Sequence, residues 1–463
     1  MIKNIFPYKI HLNIFQLEDY EIKRFVKWVS KNYLVRKLEN RKPLIWTFKA
    51  KTIYLTSIFY TILLLIMSFR FWGVWGFFLS IIIATQSFLF LILARILLLP
   101  YENVFKCFIK VRLRKRILAL KAHNMKVIGI TGSYGKTSVK EFLYRMMKTK
   151  YKTVKTPYSF NTLKGIAKVA DTELYNDCEF FICEMGAYKR GEIKELCSVA
   201  PPDYAIITGI NEQHLERFGS IENTIKAKFE LVHAAPKTGI LLNQDDKVVT
   251  KEFKKYITSP IFYGLSNNTF GAKNIKLKNL KTEFTLVLAG KKFKAETNLI
   301  GKSNISNIIA ASAMAYILKV KPQKIVKAIH SLKPVPHRLE IKHPKENITI
   351  IDDSYNSNPS GFKEALELLK SFKGEKILAT PGIVELGDET KNIHIKLGKL
   401  SNEICDYVIL IGKNERTLSM KSTIKDKKVI FINTLSALMD EVEKLKLKNP
   451  VILIENDLPD NYR

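Results

Sequence analysis

The 463-residue chain reads as an α/β protein with a P-loop-type central domain and a C-terminal Rossmann-like domain, preceded by a two-helix transmembrane hairpin. Three observations predict this. Two apolar runs, Ile53 to Phe69 and Phe71 to Ala94, stand almost end to end. A short apolar strand, Lys126 to Ile130, runs into Gly132-Ser133-Tyr134-Gly135-Lys136-Thr137. Beyond that loop, short β-type runs alternate with helical stretches, the pattern of a mostly parallel sheet covered on both faces.

The hairpin comes first. A membrane-crossing helix needs roughly 20 apolar residues, with about 17 as the lower limit. Both runs meet this, the first barely. Between them lie Arg70 and Phe71-Trp72-Gly73-Val74-Trp75-Gly76. Tryptophan suits a membrane interface and glycine a tight turn, so this stretch is the expected tip. The first run begins some fifty residues in, outside the usual window of about 15–30 residues for a cleaved signal peptide.

Cations flank the base of the hairpin. Lys23, Arg24, Lys27, Lys31, Arg36, Lys37, Arg41, Lys42, Lys49 and Lys51 precede it. Arg95, Lys106, Lys110, Arg112, Arg114, Lys115 and Arg116 follow it, whereas the tip carries Arg70. This asymmetry places both ends in the cytoplasm of a two-pass protein of the cell membrane. Residues 1–52 are then a basic cytoplasmic arm, 53–95 the hairpin and 96–123 a linker. Basic segments at the bilayer also attract anionic lipid, at about 1 kcal/mol per charge.

The soluble body follows. Strands are expected at Phe180 to Cys183, Ala205 to Thr208 and Gly239 to Leu242, with a helix from Ser138 to about Met147. Residues 283–300 alternate in β fashion and read as an antiparallel edge of the same domain. Pro334 and Pro336 mark a boundary. Past it, strands at Ile348 to Ile351, Lys376 to Ala379, Tyr407 to Leu410, Val429 to Phe431 and Val451 to Ile454 form the Rossmann-like unit. The domains are thus 124–334 and 335–463.

Composition limits the partners. The formal net charge of +32 asks for an anion, whether lipid, nucleic acid or a phosphorylated substrate. No zinc-finger, homeodomain or RNP signature accompanies it, so no nucleic-acid partner is expected. Cys107, Cys178, Cys183, Cys197 and Cys405 are scattered and odd in number, which fits reduced thiols rather than disulfides or a metal cluster.

The loop after the first strand carries the chemistry. Between a strand and a helix, backbone N–H groups and the helix N-terminus surround phosphate oxygens. Gly132, Ser133, Gly135, Lys136, Thr137 and Ser138 would cradle a nucleotide, with Lys136 on the β- and γ-phosphates and the Thr137 hydroxyl on Mg²⁺. Strict Walker A spacing would need glycine at position 130, which is Ile130. Glu184 directly follows a buried strand, where α/β sheets bind ligands, and offers Mg²⁺ an oxygen. The central unit is therefore expected to be a P-loop-type ATPase domain.

Further along come Glu184-Met185-Gly186-Ala187, Gly191-Glu192-Ile193, Asn211 to Ser220, Ala227-Lys228-Phe229-Glu230, and Asn243 followed by Asp245-Asp246. Gly301, Asn304 and Asn307, then His337-Arg338-Leu339-Glu340 and Asp352 to Pro359, complete the set. Taken with the loop, this series resembles the Mur ligases over residues 125–400. The resemblance implies ATP and two Mg²⁺ ions, with Thr137, Glu184, His214 and Lys228 as metal residues and Lys228 as the lysine that the family carbamylates. It implies Asn307 on the adenine, Arg338 and Asp353 as an interdomain pair that helps hold ATP, and Tyr355 and Asn358 in the same loop. Lys136, Lys228 and His214 become the catalytic candidates.

The implied activity is ADP-forming ligation of a carboxylate to an amine through an acyl phosphate, on a peptidoglycan precursor and of the D-alanyl-D-alanine-adding type. The partners are then a cell-wall precursor or other carboxylate and an amino-acid or peptide amine. The sequence departs from the family at three places. Residues 1–123 stand where a UDP-sugar-binding domain is usual. Thr380 to Gly387 matches only in part. Glu455-Asn456-Asp457 replaces an expected basic residue and glycine. A membrane-associated poly-γ-glutamate-type ligase and a non-catalytic nucleotide-binding scaffold of the cell envelope are the alternatives. A P-loop kinase or motor ATPase is disfavoured, because no apolar run ending in Asp follows the loop as a Walker B strand would.

Overall fold

The computed structural model describes residues 7–32, 43–278, 280–345 and 347–458. Arg36, Lys37, Arg41 and Lys42, counted above among the flanking cations, lie outside the described residues. The chain forms two compact units, one reaching Phe108 and one running from Ile109 to Asp457.

In the first unit, the segment expected as a basic arm contains two helices, Tyr8–Leu17 and Ile22–Asn32. Phe25, Trp28 and Val29 recur at helical spacing and are buried, while Lys23, Lys27 and Lys31 face out. Phe15 stacks on Phe25 with ring centroids 4.4 Å apart. The first apolar run lies in helix Phe48–Ala84, which is interrupted at Gly73 (φ +61°, ψ −150°). The Phe69 and Phe77 rings are 6.0 Å apart. Eight residues of unbroken helix would advance about 12 Å, so the chain folds back at Gly73, within the expected tip. Ala50 and Ile53 on the outgoing arm share a core with Leu91 and Ala94 on the returning one. Lys49 meets Glu102 at 3.0 Å near the base.

The returning arm pauses at Thr85-Gln86 and resumes as helix Ser87–Ala122. Residues 96–122, expected as a linker, prolong this helix through Pro100. Its last turns bring Ile109, Leu113, Ile117 and Leu120 into the core of the second unit. Apolar periodicity, rather than linker composition, governs that stretch.

The middle sheet consists of β1 (Lys126–Thr131), β2 (Thr153–Lys155), β3 (Phe180–Glu184), β4 (Tyr204–Ile207), β5 (Ile240–Asn243) and β6 (Ile261–Tyr263). The order is β2-β3-β1-β4-β5-β6, and every pairing is parallel. Alternate residues supply two cores. Val127, Phe181 and Ala205 point to one face; Ile128, Ile182 and Ile206 point to the other. Both faces are covered, which is why these strands read as continuous apolar runs.

Residues 283–297 lie in an antiparallel sheet of β7 (Phe270–Lys278), β8 (Lys281–Leu288) and β9 (Lys291–Thr297), which is separate from the parallel sheet and shares a core with it. Phe284, Leu286 and Leu288 alternate into the core beside helix Lys302–Ile317, and Lys273, Glu283 and Lys294 face out. A single apolar face suits an antiparallel sheet lying on another layer.

The C-terminal sheet comprises β10 (Glu340–Lys345), β11 (Ile348–Asp353), β12 (Lys376–Thr380), β13 (Tyr407–Ile411), β14 (Val429–Ile432) and β15 (Val451–Glu455). Its order is β10-β11-β15-β12-β13-β14, parallel apart from the β10 edge. The last strand enters between β11 and β12. Asp353 and Glu455 thereby become register partners at the carboxyl edge of that sheet.

Candidate functional site

The phosphate-type loop lies at the carboxyl end of β1, beside the β3 and β4 ends, where the strand order reverses. Its shape depends on two glycines with positive φ, Gly132 (+154°) and Gly135 (+78°). A Cβ at Gly132 would fall 2.0 Å from Thr208 Oγ1, and one at Gly135 would fall 2.6 Å from Asn307 Oδ1. The segment after β4 clamps the loop: Ser133 N–H donates to Gly209 O (2.7 Å), and Asn211 N–H donates to Ser133 Oγ (3.2 Å). The helix then begins at Lys136, two residues before its expected start. Ser138 is buried in its first turn.

Tyr134, bulky for such a loop, turns away from the cradle. Its hydroxyl donates to Asp246 Oδ2 (2.8 Å), and its ring crosses Gly209, which has no Cβ to obstruct it. Burial and Asp246 push its phenol above the ordinary range, so it stays a donor.

A cleft of about 350 Å³ opens beside the loop, lined among others by Ser133, Lys136, Asn161, His214, Phe218 and Lys228. Lys136 Nζ donates to Gly132 O (2.7 Å) and Ser133 O (3.1 Å). Lys228 is buried and lies over the Phe218 ring at 5.4 Å. Neither lysine has an ion-pair partner among the described residues. Burial pushes Lys136 down to about 8 and holds Lys228 well below the ordinary lysine range, and Lys136 lowers Lys228 further. Two desolvated amines around one cleft favour an anion there.

His214 adopts φ +60°, and burial keeps its imidazole below its ordinary 6.5. Its Nδ1 meets Glu385 Oε2, leaving Nε2 as the candidate ligand atom. Glu385 also accepts from Arg217 Nε (2.7 Å). It belongs to the C-terminal domain, after β12, so this pair joins the two domains. Glu385 was not among the expected site residues, since Thr380 to Gly387 matched only in part.

The expected metal set is only partly assembled. His214 and Lys228 share the cleft. Glu184, at the end of β3, accepts from Lys140 Nζ (3.1 Å) and Asn161 Nδ2 (3.2 Å). Thr137 instead lines a second recess of about 990 Å³ with Arg145, Lys155 and Tyr158. Lys140 and Asn161 were also missed. Lys140 stands one helical turn after Lys136, a spacing that puts both on one face and is visible in the sequence.

The C-terminal domain adds Arg338, Asp353, Tyr355 and Asn358. Arg338 and Asp353 both lie in the C-terminal domain, and the Arg338 charge acts on the Asp353 carboxyl, opposing the upward push of burial. Arg338 stacks on Tyr355, its Cζ 4.5 Å from the ring centroid. Asp353 Oδ1 accepts from Leu339 N–H (3.2 Å), and its carboxyl also meets Glu455. Asn358 caps helix Pro359–Lys370 by accepting from Gly361 N–H (3.0 Å), and accepts from Asn211 Nδ2 at 2.5 Å across the domain junction. Tyr355 OH reaches Ser159 Oγ at 2.5 Å. Asn307 lies against Gly135.

Fold and site thus define a two-domain α/β protein with a phosphate-type loop at the carboxyl edge of its middle sheet. Residues 130–315 match the model of the Mur ligase middle domain, and residues 337–455 match that of the Mur ligase glutamate ligase domain. The chain belongs to the Mur ligase family.

It is 30% identical over 292 residues to the UDP-N-acetylmuramoyl-tripeptide–D-alanyl-D-alanine ligase of Bacillus subtilis (strain 168), covering 62% of this chain and 63% of that protein. To the ligase of the same name from Escherichia coli (strain K12) it is 29% identical over 330 residues, covering 70% and 73%. The alignment thus spans less than two thirds of the Bacillus protein. Among solved structures, MurF ligase from Thermotoga maritima in complex with ADP superposes with a TM-score of 0.67 at 27% identity, covering 76% of this chain and 80% of that one. MurF from Acinetobacter baumannii gives 0.68 at 25%, covering 75% and 77%.

Proposed function

We propose that this protein is an ATP-dependent, ADP-forming ligase that joins a carboxylate to an amine, held at the cell membrane by its hairpin with both large domains cytoplasmic. The observation that carries the reading is the half-buried Lys136 and the buried Lys228, two amines beside a phosphate-type loop with no carboxylate ion-pair partner among the described residues. A triphosphate and a substrate carboxylate are the anions such a cleft suits. The relatives' names point to a muramoyl-peptide acid and a D-alanyl-D-alanine amine as the first substrates to try.

In this reading the carboxylate attacks the γ-phosphorus, giving an acyl phosphate and ADP. The amine then attacks the acyl carbon and phosphate leaves. Lys136 would swing from its loop carbonyls to the β- and γ-phosphates and offset the transferring charge. Asn307 and the Arg338–Tyr355 stack would hold the nucleoside end. Bound Mg²⁺ would supply charge neutralisation, with Thr137, Glu184 and His214 as holders. His214 fits because it is neutral. Lys228 fits only after modification, and burial shifts it toward the neutral amine that can take up carbon dioxide as a carbamate.

The hairpin supports the membrane part. Both of its helices are long and apolar enough to cross a bilayer. Leu55, Phe59, Ile62, Ile66, Phe78 and Ile82 are exposed, while Ser57, Thr61, Ser68 and Ser80 are buried. Small and hydroxylated residues inside with large apolar ones outside is how helices pack in lipid. The basic residues at its base suit anionic lipid.

The test is ADP release by the detergent-solubilised full chain with Mg²⁺ and bicarbonate. A UDP-linked or lipid-linked muramoyl tripeptide would be offered with D-alanyl-D-alanine, and products identified by mass. A new amide that requires both substrates, and is lost in Lys136→Ala, is the expected result. A growing glutamate polymer instead would replace the acid in this reading. Absence of turnover with every acid and amine would sink it in favour of a scaffold.

A further inference from the structure

At the carboxyl edge of the C-terminal sheet, two acids meet. Asp353 ends β11, Glu455 ends β15, and the two are register partners in adjacent parallel strands. Glu455 is wholly buried. Its Oε1 accepts from Ser357 Oγ at 2.5 Å, and its Oε2 has no donor. Asp353 takes the Leu339 N–H, and its neighbour in the adjacent strand is the Glu455 carboxyl. The other charged groups facing the pair are Arg338, whose buried Nε lacks a partner, and Glu364 from helix Pro359–Lys370. A hydrogen bond between two carboxyls needs a proton on one of them, and no lysine or arginine side chain forms an ion pair with either acid among the described residues.

We propose that Glu455 is a positioning residue for the nucleotide: as a neutral acid it donates its proton to Asp353 and holds that carboxylate, beside Arg338, in the orientation that binding requires. This rests on the nucleotide site assigned above. Burial and the neighbouring Asp353 raise Glu455 well above the ordinary carboxylate range, while Asp353 is at about 6. One proton held between the two carboxyls leaves the pair a monoanion. Loss of the shared proton would place two like charges in contact, drive Asp353 and Glu455 apart, and add negative charge next to an already anionic ligand. Nucleotide affinity should fall as pH rises through that loss.

The experiment is equilibrium binding of ADP with Mg²⁺ to the full chain in detergent, from about pH 6 to about pH 9.5, a range that includes documented buried glutamic acids. Lys136 titrates in the same range, so wild type alone does not isolate the effect. Glu455→Gln does, because its amide donates to Asp353 at every pH. Expected is a wild-type loss of affinity at the alkaline end on the order of tenfold greater than that of Glu455→Gln, with similar affinities near pH 6 and an unchanged melting temperature there. Glu455→Ala, which leaves Asp353 without the donor, should bind weakly across the whole range. Superimposable pH profiles for wild type and Glu455→Gln would overturn the proposal while leaving the nucleotide site intact. Failure of the wild type to bind ADP at any pH would overturn both.

Discussion

The hairpin and the large unit solve opposite burial problems with the same residue types. In the large unit, Ile128, Ile182, Ile206 and Leu241 are inaccessible, and polar groups lie at strand ends. In the hairpin, Phe59, Ile66, Phe69 and Trp75 are among the most exposed side chains, and Ser57, Thr61, Ser68 and Ser80 are inside. Each arrangement is costly in the other's solvent. Water drives apolar surface together at about 25 cal/mol per Å²; lipid, the solvent proposed for the hairpin, does not distinguish Leu from its own tails, so close approach of small residues and hydrogen bonds would have to hold its helices. Tyr8 OH to Thr61 Oγ1, between helix Tyr8–Leu17 and the outgoing arm, is a contact of that kind.

The sharpest way to break this contrast is at the buried ion pair of the large unit. Lys140 is wholly buried and pairs with Glu184. Lys140→Met should destabilise by about 3–5 kcal/mol, because it strands a buried carboxylate. Adding Glu184→Gln should recover part of that, and a thermal melt of the full chain in detergent reads both. Next comes Ile66→Arg on the exposed face of the hairpin. At the centre of a spanning helix the cost is about 2.5–3.5 kcal/mol, visible as loss from the membrane fraction. The matched change Leu418→Arg, at an exposed apolar residue of the large unit, should stay within about 0.5 kcal/mol. Equal effects at the two sites would remove the lipid-facing reading of the hairpin.

A smaller effect concerns the domain junction. Glu385→Gln should weaken Mg²⁺ affinity about 10–100-fold by loosening His214, measured by calorimetry in the presence of ADP. The same histidine gives a pH dependence. Burial lowers its folded value below 6.5, so the folded chain binds fewer protons than the unfolded one. Its contribution favours folding above pH 6.5 and is lost as pH falls beneath that value. A melt that gains stability on acidification from pH 7, in wild type but not in His214→Asn, would contradict this sign. Smallest is Gly73→Ala, where a side chain at φ +61° should cost about 1–2 kcal/mol although nothing lies near the new methyl.

Much of the architecture could be read before any coordinates. Strands β1, β3, β4 and β5 announced themselves because both faces are covered and their central residues are apolar, whereas the three-residue strands β2 and β6 were too short to show a pattern. Gly132, Gly135 and Lys136 were legible as a phosphate cradle because strand, glycine turn and helix are contiguous. Alternation over residues 283–300 was legible as antiparallel structure, but not that β7–β9 form a sheet of their own, since alternation fixes which face is buried and not which sheet a strand joins. Glu385 stayed hidden because a residue 171 positions from His214 carries no local signal of that contact. Glu455 stayed hidden for the same reason, since it reaches Asp353 only on the last strand.

The sequence by itself determined the local elements, the hairpin with its turn at Gly73, the loop and its lysine, since periodicity, left-handed glycines and strand-loop-helix order are properties of neighbouring residues. Only the tertiary structure decided that Lys140 holds Glu184, that Glu385 orients His214, and that Asp353 and Glu455 share an edge. Strand order is set by packing free energy summed over whole sheets, and the insertion of β15 between β11 and β12 brings together acids that the chain keeps about a hundred residues apart.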